Sequence, residues 1–483
     1  MKNNQLIHLI KTFDRREMSR FVAFSLSSYH HKHTDTQRLI DWLDKHFPAL
    51  PDKRLTPTAI WQHLYGDTCL DAGKLAVLFT YASRLAEKFL IQEQFSKEEW
   101  QPILLLRALR EHRQWDAWQR TLDKHQPLLT QPTRRDANHY YQNLLLQEEA
   151  NIGYTIRERR REDNSLVQKE QALDHYYILE KLRDAVEMQV RRQILRSDYS
   201  ARLLEAVLEE LRHNADAYAD APAIQLYFLL YQMMDTPSVD AYRHAMEVFQ
   251  AHQQHFQGAE VAAIYNYFQN FCIARINAND TPFLRELFQL YQQQLEQRLL
   301  HEDDFLIEWH YKNIVTTALR LGELAWADTF IEQHRTALAP DAAENAYRFN
   351  KAAWCHETGD YGRVLELLTQ VEYSDMRYNL GAKALLLRTY YELQETEALQ
   401  ALVESFRQYL QRNRLLADFR RSGYYHLFRF TRRLARLREQ QPFLPSASFR
   451  QSLATIREAL QQAPAVFNRT WLEQKIRELE AAP

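Results

Sequence analysis

At 483 residues the chain is long enough for about three compact domains, or for one continuous repeat array that grows by adding units. Nine glycines and the lack of sustained apolar–polar alternation exclude an extensive sheet, while abundant Leu, Ala, Gln, Glu and Arg favour helix throughout. The formal net charge of −2 conceals an uneven layout, and no stretch reaches the roughly 18 consecutive apolar residues that a membrane span needs.

The first residues, with Lys2, Asn3, Asn4 and His8, lack the apolar run of a secretory signal, so a cytoplasmic location is expected. Asp14 with Glu17, Ser96 with Glu99 and Asp341 with Glu344 have capping-box spacing and predict helix starts. Pro57, Pro222 and Pro282 suit first helical turns. His30, His31 and His33 have no acid or Cys at ligand spacing and are read as solvated loop residues, with no metal. Between Thr56 and Leu90 a short and a longer helix, the latter with Lys74, Leu78 and Arg84, loosely resemble the helix-turn-helix of winged-helix regulators. Two basic side chains are few for a recognition helix, so ordinary packing is expected there.

Farther along, Arg157, Arg159, Arg160 and Arg161 meet Glu162 and Asp163 in a self-paired helix end or loop. Leu173, Tyr176, Leu179, Leu182, Val186, Val190 and Ile194 repeat at three- and four-residue spacing, predicting one long helix from about Leu166 to Arg196. Glu302-Asp303-Asp304 is read as an acidic helix start favoured by the macrodipole. Cys69, Cys272 and Cys355 are odd in number and far apart, which suits a reducing compartment, and all three are read as small core residues.

Three turns then recur at nearly one period: Leu321-Gly322-Glu323, Thr358-Gly359-Asp360 and Leu393-Gln394-Glu395, spaced 37 and 35 residues. His112-Arg113-Gln114-Trp115-Asp116-Ala117-Trp118 reads as a degenerate copy. The period predicts an all-α fold, an α-α superhelix of repeated helix pairs: an N-terminal helical domain or cap at 1–95, an array at 96–440, and a C-terminal helical cap at 441–483 after the Gln440-to-Ser448 connector.

Asn350 to Leu368, with Ala352, Trp354, Gly359-Asp360-Tyr361 and Leu367-Leu368, resembles a tetratricopeptide repeat, and its neighbours keep the phase with Glu323-Leu324-Ala325-Trp326 and Glu395-Thr396-Glu397-Ala398. Segments such as Leu9-Ile10-Lys11-Thr12-Phe13, Tyr176-Tyr177-Ile178-Leu179-Glu180-Lys181, Lys312-Asn313-Ile314-Val315 and Trp471-Leu472-Glu473-Gln474-Lys475 resemble a family of uncharacterised all-helical, tetratricopeptide-like proteins of Bacteroidota. That resemblance implies a fold and a cytoplasmic address, and no activity.

If the tetratricopeptide phase holds, the first helix of each pair lines a groove. Trp309, Lys312, Asn313 and Thr316, then Phe349, Asn350 and His356, then Arg388 and Tyr391 become candidate peptide-binding residues. In the resembled family an Asn at the position of Asn313 and Asn350 can hold a bound peptide; the competing reading makes both of them buried amides that bridge neighbouring helices.

Between Arg407 and Arg438 ten arginines face one acid, Asp418, and Tyr409, Phe419, Tyr424, Tyr425, Phe428 and Phe430 are interleaved. Arginine beside aromatic faces suits nucleic acid, making Arg420, Arg421, Arg429, Arg432, Arg433 and Arg436 candidate anion- or nucleic-acid-binding residues. The plainer reading is a core-facing aromatic stripe with a solvated basic face. No phosphate loop, nucleophile elbow, HExxH or deaminase signature occurs, so neither a catalytic residue nor a cofactor is expected. The expected function is a non-enzymatic scaffold or adaptor holding a protein or peptide on a concave face, with a nucleic-acid-associated factor using 407–438 as the alternative.

Overall fold

The computed structural model describes residues 4–30, 32–50, 55–96, 101–130, 135–157, 164–195, 199–256, 258–278, 280–371, 376–412 and 418–481. Among them the chain is all-α, with 23 α-helices and one two-residue-per-strand hairpin. No described helix is long and apolar enough to cross a membrane. The chain divides into two compact units, Met1–Ala185 with Ala201–Tyr227, and Val186–Ser200 with Phe228–Pro483.

In the first unit, α1 to α5 (Gln5–Ile10, Arg15–Leu26, Thr34–His46, Pro57–Tyr65 and Ala72–Phe95) enclose a core that includes Leu6, Phe21, Leu39, Trp42, Ile60, Leu78 and Phe89. Helix α2 starts with the expected capping box: Glu17 N–H donates to Asp14 Oδ1 at 2.7 Å, and Asp14 N–H donates to Glu17 Oε2 at 2.8 Å. The expected start at Ser96 is corrected, because Ser96 closes α5 and its hydroxyl donates back to the Gln92 carbonyl; Glu99 lies outside the described residues. Next come α6 to α8 (Gln101–Glu111, Trp115–Thr130 and Ala137–Ile156), packed around Leu106, Trp118, Leu122, Leu146 and Ala150.

Helix α9 runs Ser165–Leu195, within a residue of the stripe-based expectation, followed by α10 (Leu204–His213) and α11 (Pro222–Asp235). The second unit continues with α12 to α14 (Val239–His252, Ala259–Asn277 and Phe283–Glu296). Here a second expectation is corrected: Glu302-Asp303-Asp304 is not a helix start. Strands β1 (His301–Glu302) and β2 (Phe305–Leu306) pair antiparallel, and Asp303 (φ 47°) and Asp304 (φ 68°) form the turn between them. Two consecutive left-handed residues are what a two-residue hairpin of matching twist requires, and Asp tolerates that conformation.

Helices α15 to α20 (Glu308–Leu321, Leu324–Gln333, Ala343–Glu357, Tyr361–Thr369, Met376–Glu392 and Thr396–Arg412) form three pairs. They lead into α21 to α23 (Asp418–Gln440, Ser446–Gln462 and Arg469–Ala481). Each odd-numbered helix from α15 to α21 packs on its even-numbered partner and on the next odd-numbered helix. Helix α17 begins at Ala343, so Asp341 is not its cap; Glu344 instead pairs with Arg335 and Arg348.

The repeated turns share one closure. Gly322, Gly359 and Gln394 are left-handed, with φ of 78°, 84° and 61°. The next amide in each case donates to a carbonyl five residues back: Glu323 to Ala318, Asp360 to Cys355 and Glu395 to Tyr390, at 2.9–3.0 Å. The degenerate copy in the first unit closes the same way, with Arg113 at φ 54° and Gln114 donating to Leu109 at 2.8 Å. In all four copies the residue seven before the turn is buried, namely Leu106, Val315, Ala352 and Leu387. So is the residue five after it, namely Trp118, Ala327, Val364 and Leu399. A shared turn therefore sets a shared packing register.

Candidate functional site

The candidate groove residues separate into exposed and internal groups. Trp309 is 42% exposed and stacks on His310 at 3.7 Å. Lys312 sits one turn on with Nζ 4.9 Å over the Phe349 ring, Thr316 is exposed and donates to the Lys312 carbonyl, and Asn313 is half-buried. Phe349 is core. Asn350 is 1% exposed, its Nδ2 donating to the Ala346 carbonyl of its own helix at 2.8 Å while its buried Oδ1 accepts no protein hydrogen bond. It therefore neither lines an open surface nor bridges to a neighbouring helix.

His356, Arg388 and Tyr391 belong to a second, internal arrangement. The Arg388 guanidinium meets His356 Nδ1 at 2.9 Å and Glu357 Oε1 at 2.6 Å, and lies 5.7 Å from the Trp471 ring. Burial works against the Glu357 carboxylate, but the His356 hydrogen bond and the Arg388 charge outweigh it and hold its pKa at about 2. Tyr391 is buried beneath Arg438, which sits 4.1 Å over its ring and donates to its carbonyl at 2.5 Å. Sequence periodicity missed the adjoining partners. Glu392 accepts from Trp471 Nε1 at 3.0 Å and from Lys475 Nζ at 3.0 Å, and Lys475 also reaches Glu478 at 2.8 Å. Burial disfavours the Lys475 ammonium, yet Glu478 and Glu392 raise its pKa above the ordinary value. No local signal links residues 83 positions apart.

The basic window also divides. Among its described members Arg407 pairs with Glu404, and Arg438 is held by Tyr391. The side chains of Arg412 and Arg420, and all of Arg414, lie outside the described residues. Phe428 and Phe430 are buried, and Tyr424 packs on Phe467 at 4.5 Å. Arg421 is exposed at the start of α21.

Arg429 and Arg436 are exposed, Arg432 and Arg433 half-buried, and none of the four forms an ion pair with a described carboxylate. Burial and the adjacent Arg429 charge lower the Arg433 pKa. Tyr425 stays 46% exposed beside them. Arg433 and Arg436 also line a shallow cleft with Gln440 of α21 and Ser452 and Thr455 of α22.

The other sequence candidates are structural. Lys74 lies 4.0 Å over the Tyr65 ring, and α5 buries Leu75, Leu78, Ala82 and Leu85. His30 stacks on Phe24, His33 holds the N-cap position of α3 without a side-chain cap hydrogen bond, and His31 lies outside the described residues. Arg157 donates to Gln119 at 3.0 Å; Arg159, Arg160 and Arg161 lie outside the described residues. Cys272 and Cys355 are buried as expected, but Cys69 is exposed, because it falls in the connection between α4 and α5 and not on a helix face. No family model, no curated protein and no solved structure matches the chain.

Proposed function

We propose that this chain acts by binding and not by catalysis, as a helical-repeat scaffold of tetratricopeptide type whose docking face is the arginine side of α21 and whose partner is a polyanion. One observation carries this reading: Arg429, Arg432, Arg433 and Arg436 share a short stretch of helix with no described carboxylate in ion-pair range. Uncompensated like charges repel one another, and an anionic partner relieves that cost while releasing its own counterions. Retention on heparin or polyphosphate that weakens steeply with salt tests it. Changing all four arginines to Gln should abolish retention without altering the helical spectrum; unchanged retention would refute it.

A second reading keeps a protein or peptide partner on a concave face of the array, supported by exposed Trp309, which stacks on His310 one helical turn before Lys312 and two before Thr316. An exposed indole is a common anchor for a peptide segment. Peptides selected against the chain should lose at least about tenfold in affinity on Trp309→Ala with Lys312→Ala, about 1.4 kcal/mol, at unchanged melting temperature. For either partner the proposed location is the cytoplasm, whose reducing conditions suit three free cysteines.

A further inference from the structure

We infer that the outer stripe of α21 seats single-stranded nucleic acid, with Tyr425 stacking on a base while Arg429, Arg432 and Arg436 engage the backbone, an inference that rests on the polyanion reading of this face. At 3.6 residues per turn, positions 425, 429, 432 and 436 fall within about 60° of arc and about 16 Å of helix length. The opposite side, with Leu427, Phe430, Leu434 and Leu437, is buried, so the helix cannot turn the stripe away from solvent.

The aromatic ring decides between classes of polyanion. Tyr424, Phe428 and Phe430 are committed to packing, whereas Tyr425 is 46% exposed and its ring meets that of His426 at 5.6 Å. A duplex keeps its bases stacked inside and offers a backbone-side tyrosine nothing to stack on, and an acidic protein segment would engage the arginines and leave the ring idle. An unpaired base uses both. The cleft lined by Arg433, Arg436, Gln440, Ser452 and Thr455 continues the stripe, and its neutral Gln440 and Ser452 side chains can donate hydrogen bonds to the next phosphate.

The test titrates the full chain against fluorescent oligo(dT) and oligo(U) of about 12 nucleotides, a duplex of the same length, and polyglutamate. The expected result is tightest binding to the single strands, with log affinity falling against log salt at a slope of about −2 for three phosphate contacts. Tyr425→Ala should weaken single-strand binding by about 5- to 100-fold and leave duplex binding unmoved, with Tyr425→Phe retaining affinity. Arg429→Gln with Arg436→Gln should flatten the slope to about −0.7. Equal affinity for duplex or polyglutamate, or no effect of Tyr425→Ala, overturns the single-strand inference and leaves the polyanion reading standing. An unchanged slope in the arginine variant moves the binding away from this stripe, and no binding of any probe at low salt overturns both.

Discussion

The Trp118 indole lies flat against the backbone of Gly153, so close that a β-carbon there would overlap the ring at Cζ2, Cη2 and Cε2. Trp118 is fully buried between α7 and α8 and cannot swing away. Gly153→Ala should therefore destabilise the first unit by about 3 kcal/mol, at the upper end of overpacking costs. Urea unfolding followed by tryptophan fluorescence measures it, and a change under about 0.5 kcal/mol would contradict the close approach.

Glu392 and Lys475 tie α19 to α23, and their side chains are only 13% and 10% exposed. Glu392→Ala leaves Trp471 Nε1 without its acceptor and Lys475 with Glu478 alone, which should cost about 3 kcal/mol. Adding Lys475→Met removes the stranded charge and should recover part of the loss, a coupling that a double-mutant cycle reads directly. Faster amide exchange throughout Arg469–Ala481 in the single variant is the local signature.

The left-handed turn at Gln394 lacks the glycine found at Gly322 and Gly359. Since a β-carbon in that conformation costs about 1–2 kcal/mol, partly offset by the greater unfolded-state entropy of glycine, Gln394→Gly should stabilise by about 0.5–1 kcal/mol. Gly359→Ala should destabilise by about 1 kcal/mol. Melting temperatures that move in opposite directions would check the pair.

His310 is buried against Trp309, and burial lowers its pKa to about 4. The unfolded imidazole titrates near about 6.5, so between these values the unfolded chain holds a proton that the folded chain does not. Unfolding free energy should thus fall as pH drops from 6.5 towards 4, by up to about 3 kcal/mol from this group. His139, which burial likewise lowers to about 4, adds a loss of the same sign in the first unit. Below pH 4.5 the protonation of Glu357 extends the decline. His310→Phe should flatten the upper part of the profile, as measured by urea midpoints at neutral and mildly acidic pH.

Local chemistry made much of this chain legible in its sequence. The Asp14 box, the α9 stripe and the turns at Gly322, Gly359, Gln394 and even Arg113 were readable because caps, left-handed closures and a 3.6-residue period are written within a few consecutive residues. Where two local structures use the same residues, local chemistry does not choose between them: acids at Asp303 and Asp304 serve a tight hairpin as readily as a helix start, and Ser96 and Asp341 match a cap without forming one. Tertiary packing alone decided which polar groups became interior. Asn350 and Trp309 both fall on odd-numbered helices of the stack, yet one is buried and the other open. Arg438 is spent on Tyr391 while Arg429 and Arg436, on the same helix, meet no described acid. Glu392 finds Lys475 only when α23 is laid against α19. An ion pair depends on distances of a few ångströms between segments far apart in the chain, and helical periodicity carries no information about those distances.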